Sequence, residues 1–385
     1  MQHFLRMGVF MLNLHGEKII RIEKVVMKFK RPRLIGRNAR IGVHGDMVTD
    51  PVVRIHTSSG AIGVGWSRLG REEAESLVGK TVGDVFQLPG GSNEAGAAID
   101  LPLWDLVAKL SDQPLYKLLG ARGSRAVELY DGSVYIDDLD ASDEEAVEIF
   151  RDEVKTGHDY GYKNFKIKIG RGARWMPVTE GTDRDVLVIH SVREAAGADA
   201  KILVDANNGT TLNIAKDILE RCEDVGIYWF EEPFPEDGAF NEDFKQFIVE
   251  KGYDTLVADG ESGPPPPSYF DMVKKGWIDV VQHDFRAKGL TWWRETAAMI
   301  EPWGGQCAPH CWGSLIERYA HAHFAASVPH FSLQEAAPAD MPGIVLDGWT
   351  MQDGCLMVPD TPGTGFDLES DVIEEGVKRE DGFRV

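Results

Sequence analysis

Lys201–Glu232 reads KILVDANNGTTLNIAKDILERCEDVGIYWFEE. Two short apolar runs, KILVDA and IYWFEE, flank a stretch whose apolar residues recur at helical spacing. Each run is rich in aliphatic or aromatic residues and ends on a carboxylate, Asp205 in the first and Glu231 in the second. A strand, a helix and a second strand in this span imply a parallel pair, because a crossover is needed to bring the second strand back in the same direction.

The unit repeats outward. VELYDGSVYI and NFKIKIG precede it, and TLVADGE, DVVQHD, GQCAPH and HFSLQE follow. A polar residue near the end of each of the last seven runs falls at positions 168, 205, 231, 261, 284, 310 and 335, with gaps of 37, 26, 30, 23, 26 and 25. Each gap holds one strand, one helix and two loops. Eight parallel strands imply closure, so 127–345 is assigned to a modified (β/α)8, TIM-like barrel. Residues 17–126 have a different texture. KIIRIEKVVMKFK and DPVVRIHTSS read as strands, RPRLIGRNARIGVHGDM between them as a long loop, and AGAAIDLPLWDLVAKLSDQPLYKLLG as helical with Gly120 in the place of a C-cap. This is an α+β capping domain, and the turn-rich 346–385 is expected to return to it.

The chain has 385 residues, with 41 Lys and Arg against 62 Asp and Glu, a net charge of −21. Nucleic acid and anionic membranes need a basic surface, so both are excluded as expected partners. A small carboxylate is not, because a bound cation and a few lysines reverse the sign locally. Four scattered cysteines do not make a disulfide scaffold. Cys307, His310 and Cys311 lack the second Cys/His pair that a zinc cluster needs. MQHFLRMGVFMLNLHG reads as a ragged start without a cleavage site, and no run approaches the ~18 apolar residues of a membrane span. A cytoplasmic protein is expected.

In a (β/α) barrel the strand ends open on one face. Lys168, Asp205, Glu231, Glu261, Asp284, His310 and Glu335 would therefore converge. Any one of them alone reads as an ordinary strand cap, but seven in succession do not. Asp205, Glu231 and Glu261 end three consecutive strands, and hard oxygen donors without Cys or His favour Mg²⁺ or Mn²⁺. Their neighbours Glu232 and Asp259 add charge that a metal would compensate. Lys166 and Lys168 alternate on the second strand and so share a face. Lys168, beside a second cation, is expected to release its proton readily and to act as a general base, whereas Lys166 reads as an ion-pair partner. Asp284 would fix the tautomer of His310 and free its other nitrogen for acid or base work.

KIK, LVDANN, WFEEP, DGES, VQHD, PHCWGS and LQE, in this order over nearly the whole chain, resemble the mandelate racemase subgroup of the enolase superfamily. The resemblance implies a metal held by Asp205, Glu231 and Glu261 that chelates a substrate carboxylate. Lys168 and the His310–Asp284 pair would be the acid/base groups on the two faces. Lys166 would stabilise the enediolate, Glu335 would lie near the carboxylate as a hydrogen-bond donor or electrophilic helper, and Asn207 and Glu232 would sit beside the metal. The loop about 36–46 would select substrate through Arg37, Arg40 and His44. DFRAKGL departs from the double glycine usual after the sixth-strand Asp, and a one-residue shift would put His283 at the Asp284 position.

With acid/base groups on both faces, the resemblance implies dehydration of an aldonate or aldarate in a homo-oligomeric enzyme. Racemisation or epimerisation is the alternative, and cycloisomerisation a further one. Two readings of other classes are a non-catalytic acid-sugar binding protein, which predicts a broken triad, and a Schiff-base aldolase on Lys168, which leaves the three carboxylates unexplained.

Overall fold

The eight apolar runs form eight parallel strands: Ala126–Val134, Asn164–Lys168, Ile202–Asp205, Ile227–Glu231, Leu256–Asp259, Val280–Val281, Gln306–Cys307 and Gln334–Ala336. They come from a computed structural model that describes residues 12–263 and 265–385. The reading of residues 1–11 as a ragged start lies outside these, as does Pro264. The first seven strands are consecutive neighbours, and the eighth pairs with the first. Between the seventh and the eighth, Cys307 N–H donates to His330 O and Ser332 N–H donates to Cys307 O, both at 2.9 Å. These two bonds complete the ring.

Parallel strands are covered on both faces, which explains their continuous apolar runs. Tyr130, Leu203, Trp229, Val280 and Leu333 pack inside the ring as one buried layer. On the outside, Ile167, Val204, Phe230 and Val257 meet the apolar stripes of the surrounding helices. Those helices carry local start and stop signals. Ser142 and Glu145 form a capping box at the start of Asp143–Asp159, and Gly252, at φ 74°, ends Gly238–Lys251. Among the described residues no helix is long and apolar enough to cross a membrane.

The cap is an antiparallel sheet of Ile19–Ile35, Gly45–Thr57 and Ile62–Trp66, with Phe383–Arg384 from the C-terminus on its outer edge. Two expectations need correction here. The long loop is shorter than its Gly and Arg content suggested, because the first strand continues through Ile35, which pairs with Gly45 beyond an irregularity after Lys30. Cross-strand pairing has overridden a weak local preference. The helical stretch ending at Gly120 is also broken into Asp100–Leu110 and Leu115–Leu118. Asp112 at φ 50° and Pro114 at the start of the second piece separate them. Within 346–385, the hairpin Thr350–Gln352/Cys355–Met357 adds antiparallel to the first barrel strand rather than to the cap sheet.

Candidate active site

Lys168, Asp205 and Glu231 are direct register partners across the second, third and fourth strands, each the last residue of its strand. Parallel strands lie about 4.8 Å apart, so three charged side chains in one row must touch. Ala258 is the next residue in the row. The third carboxylate therefore comes from beyond its strand, at Glu261, after Gly260 in the left-handed region at φ 113°. Asp205, Glu231 and Glu261 each present an oxygen within 4.8 Å of the others.

Asn207, Asn208 and Glu232 follow these strand ends with φ of 43°, 59° and 42°. Left-handed backbone at non-glycine residues costs of order 1–3 kcal/mol each and persists where surrounding bonds impose it. The bonds are present. Asn207 N–H donates to Asp205 Oδ1 at 2.8 Å, and its amide donates to Glu261 Oε1 at 2.8 Å and to Glu232 Oε2 at 3.3 Å. Gln282 and Trp229 donate to Glu231 Oε2 at 2.9 and 3.1 Å. Buried Glu261 Oε2 and Asn207 Oδ1 have no hydrogen-bond partner.

Both lysines are buried among these acids. Lys166 Nζ lies 2.7 Å from Glu231, 3.0 Å from Glu335 and 3.4 Å from Asp205. Burial alone would lower its pKa, but the three anions outweigh burial and push it up. Lys168 contacts Asp205 directly. Burial and the neighbouring Lys166 lower Lys168, yet Asp205 outweighs them and raises it. The Asp205 charge thus opposes the effect that Lys166 has on Lys168. Conversely, burial would raise Asp205, but Lys168 and Lys166 keep it down. Glu231 is raised by burial and by Asp205 and Glu261 despite its bond to Lys166, because carboxylates outnumber the cations around it.

On the other flank, Asp284 caps the helix Phe285–Ile300, which is interrupted at Gly289, and its Oδ1 accepts Ala287 N–H at 2.8 Å. Its Oδ2 faces His310 Nδ1 at 3.0 Å. Burial lowers His310, but Glu261 and Asp284 more than offset it and push the imidazole up to about 9. His283 points elsewhere. Its Nδ1 lies 2.7 Å from Gly260 O among Tyr269, Phe270 and Trp292, and burial lowers it to about 4. Glu335 accepts Cys311 N–H at 2.9 Å and pairs with Lys166. Burial would raise it, but Lys166 and His310 bring it down to about 2. Asp259, without account in the sequence, is pushed well up by burial and by Glu236 and Glu232.

The cap reaches the same mouth. His44 Nδ1 bonds Gly36 O at 2.8 Å, and its ring meets Tyr135 edge-on at 4.7 Å. Arg40 Nη1 donates to Ser262 Oγ at 3.3 Å, beside Glu261. Arg37 stays apart, with its guanidinium 5.7 Å from the Trp175 ring. Tyr135, stacked on Trp312 at 4.8 Å with Lys168 Nζ 5.3 Å from its ring, was not foreseen. The available signal was an aromatic residue at the end of VELYDGSVYI, read only as strand.

Three converging carboxylates, one with an unpartnered buried oxygen at Glu261, flanked on one side by lysines and on the other by an Asp–His pair, match hard-cation chemistry. Comparison with known proteins agrees with this arrangement. The family model for the enolase C-terminal domain-like fold matches residues 150–372. A galacturonate dehydratase from Geobacillus sp., complexed with D-galacturonate and 5-keto-4-deoxy-D-galacturonate, superposes with a TM-score of 0.90 and 35% identity over 96% of this chain and 99% of that one. A mandelate racemase/muconate lactonizing protein from Geobacillus sp. Y412MC10, complexed with magnesium and tartrate, gives 0.91 and 34% over 96% and 97%. Arabinonate dehydratase of Saccharolobus solfataricus is 28% identical over 282 residues, 72% of this chain and 71% of that protein. With the family model matching more than half of the chain and the fold superposing on solved members over nearly its full length, the chain belongs to the enolase superfamily, in its mandelate racemase/muconate lactonizing branch.

Proposed function

We propose that this protein is a Mg²⁺-dependent sugar-acid dehydratase, a lyase that removes the proton next to a carboxylate and expels the hydroxyl on the adjoining carbon. The observation that carries it is the order of groups around the ring. Lys168 at the end of the second strand and His310 just past the seventh flank the triad at the ends of the third and fourth and just past the fifth, so an acid/base group stands on each side of one metal-binding position. Under this reading 17–126 is the cap, 127–345 the barrel and 346–385 the returning segment, in a cytoplasmic homo-oligomer.

Asp205, Glu231 and Glu261 would hold Mg²⁺, or Mn²⁺, which binds the substrate carboxylate and stabilises negative charge that develops there. Lys168 Nζ takes the α-proton. With Asp205 committed to a cation, Lys168 loses its main counter-charge, and Lys166 beside it lowers its proton affinity. The electron pair left by the C–H bond delocalises into the carboxylate, where Lys166 Nζ donates. His310, held by Asp284, delivers a proton to the β-hydroxyl as the C–O bond breaks, and water leaves. The resulting enol tautomerises to a 2-keto-3-deoxy acid. Asn207 and Glu232 fix the geometry of the triad. Arg40 and His44 close the cap side, and Arg37 supports that loop through Trp175.

The full-length likeness to a structure holding D-galacturonate makes uronates the first class to test, ahead of aldonates and aldarates. Protein with Mg²⁺ is incubated with all three classes in D₂O, following keto acid by semicarbazide absorbance and α-deuterium by NMR. Keto acid that disappears in Lys168→Ala and His310→Ala supports the dehydratase. Deuterium uptake without keto acid replaces it with a racemase or epimerase on the same groups, and silence from every substrate removes the reading.

A further inference from the structure

Two residues past Asp284 the chain carries Arg286. Arg286 Nη2 donates to Asp284 Oδ2 at 2.8 Å, the same oxygen that faces His310 Nδ1. Since Ala287 N–H occupies Oδ1, the carboxylate is held from three directions. Arg286 is itself built into place. Buried Glu317 brings Oε2 to 3.6 Å from Arg286 Nε, and neither Glu317 oxygen has a hydrogen bond. Trp66 from the cap sheet lies with its ring 5.9 Å from the guanidinium. Gly313, at φ 89°, leaves room where a Cβ would come within 3.1 Å of Arg286 Nη1.

We infer that Arg286 is the positioning residue of the Asp284–His310 pair, holding Asp284 in the one orientation that faces His310 Nδ1 while Nε2 points to the triad. The inference rests on the reading of His310 as the acid. A carboxylate held by a helix N-terminus, an imidazole and a guanidinium has donors on three sides, and turning it breaks at least one charge-assisted bond. Without Arg286, one of the three constraints is gone and the Asp284 carboxylate is free to turn away from His310 Nδ1. The guanidinium is also reachable: a cavity of about 490 Å³ lined by Trp66, Arg68, Glu73, Asp284 and Arg286 borders it.

The test is Arg286→Ala with millimolar methylguanidinium, alongside Arg286→Lys. Dehydration kcat should fall about 10- to 100-fold with KM within about twofold, as for other groups that orient an active-site histidine. Lys168-dependent α-deuterium exchange should persist, and methylguanidinium entering the cavity should restore part of kcat, as should lysine. Unchanged kcat, or parallel loss of exchange without rescue, overturns the inference. A crystal structure of Arg286→Ala judges it without any substrate. Asp284 should have left His310 Nδ1, and a pair still at hydrogen-bond distance overturns it. A wild-type protein inert to every sugar acid would instead remove the proposed function, with the crystallographic result still deciding the role of Arg286.

Discussion

His310 Nε2 stands 3.2 Å from Glu261 Oε2, while Nδ1 of the same ring faces Asp284 Oδ2 at 3.0 Å. One imidazole thus joins the metal-binding carboxylates to the pair that orients it, and the two anions both raise its pKa. A protonated imidazole is the form that can assist departure of a hydroxyl, whereas it cannot abstract a proton.

From that division of labour, His310→Asn should lower dehydration kcat by about 10²–10⁴-fold, the usual worth of a positioned acid. Exchange of the α-proton through Lys168 should survive. Loss of both reactions together in single-turnover NMR would show that His310 and Lys168 do not act in separate steps.

Metal affinity should follow the row of strand ends. Asp205→Asn and Glu261→Gln each remove one charged donor, so calorimetric Mg²⁺ binding should weaken by at least about tenfold, more than for any Asn207 variant. Chelation with EDTA should abolish activity, and added Mg²⁺ or Mn²⁺ should restore it. Activity that survives chelation would exclude the metal-dependent reading.

Lys166 is the only described cation within 4 Å of Asp205, Glu231 and Glu335 together. Lys166→Met leaves these buried acids without it, and breaking a buried pair costs about 3–5 kcal/mol. Urea unfolding in EDTA should show a loss of that order, and saturating Mg²⁺ should recover part of it. A loss below about 1 kcal/mol would mean that the acids are neutral in the metal-free protein.

Most of the metal site was legible because its carboxylates end strands, where period and position coincide. Asp205 and Glu231 close their runs, and the barrel follows from the spacing of seven such ends. What surrounds them was not legible, because it depends on contacts between distant elements. Tyr135 and Trp312 meet across 177 positions, and Arg286 becomes significant only where Glu317, Gly313 and Trp66 converge on it. The electrostatic setting of Lys168 was only half legible for the same reason. Lys166, two residues away, was visible, but the stronger effect comes from Asp205 on the next strand. In the cap, the edge of the first strand was lost to its Gly and Arg content because pairing, which decides it, has no local signature.

Acid should unfold this protein through its buried histidines. His323 is fully buried, its Nδ1 accepting Tyr116 N–H at 3.0 Å and its Nε2 donating to Thr364 O at 3.2 Å, so only the neutral ring satisfies both partners. Burial lowers His323 to about 3, and likewise His321, which stacks on Phe285 at 5.0 Å without any hydrogen bond. Between the ordinary histidine value near 6.5 and about 3, the unfolded chain binds protons that the folded chain refuses. Stability is therefore intact above about pH 6.5 and is lost as pH falls, at about 1.4 kcal/mol per unit for each ring. His310 works with the opposite sign, favouring the fold below 6.5 and losing its contribution as pH rises through about 9, so the windows do not overlap. Other buried acids titrate in the lower window too, and a difference between proteins cancels them. The slope of unfolding free energy between about pH 4 and 6 should be shallower in His323→Asn than in wild type by about 1.4 kcal/mol per unit. Equal slopes in urea titrations across that range would mean that His323 is already charged in the folded state.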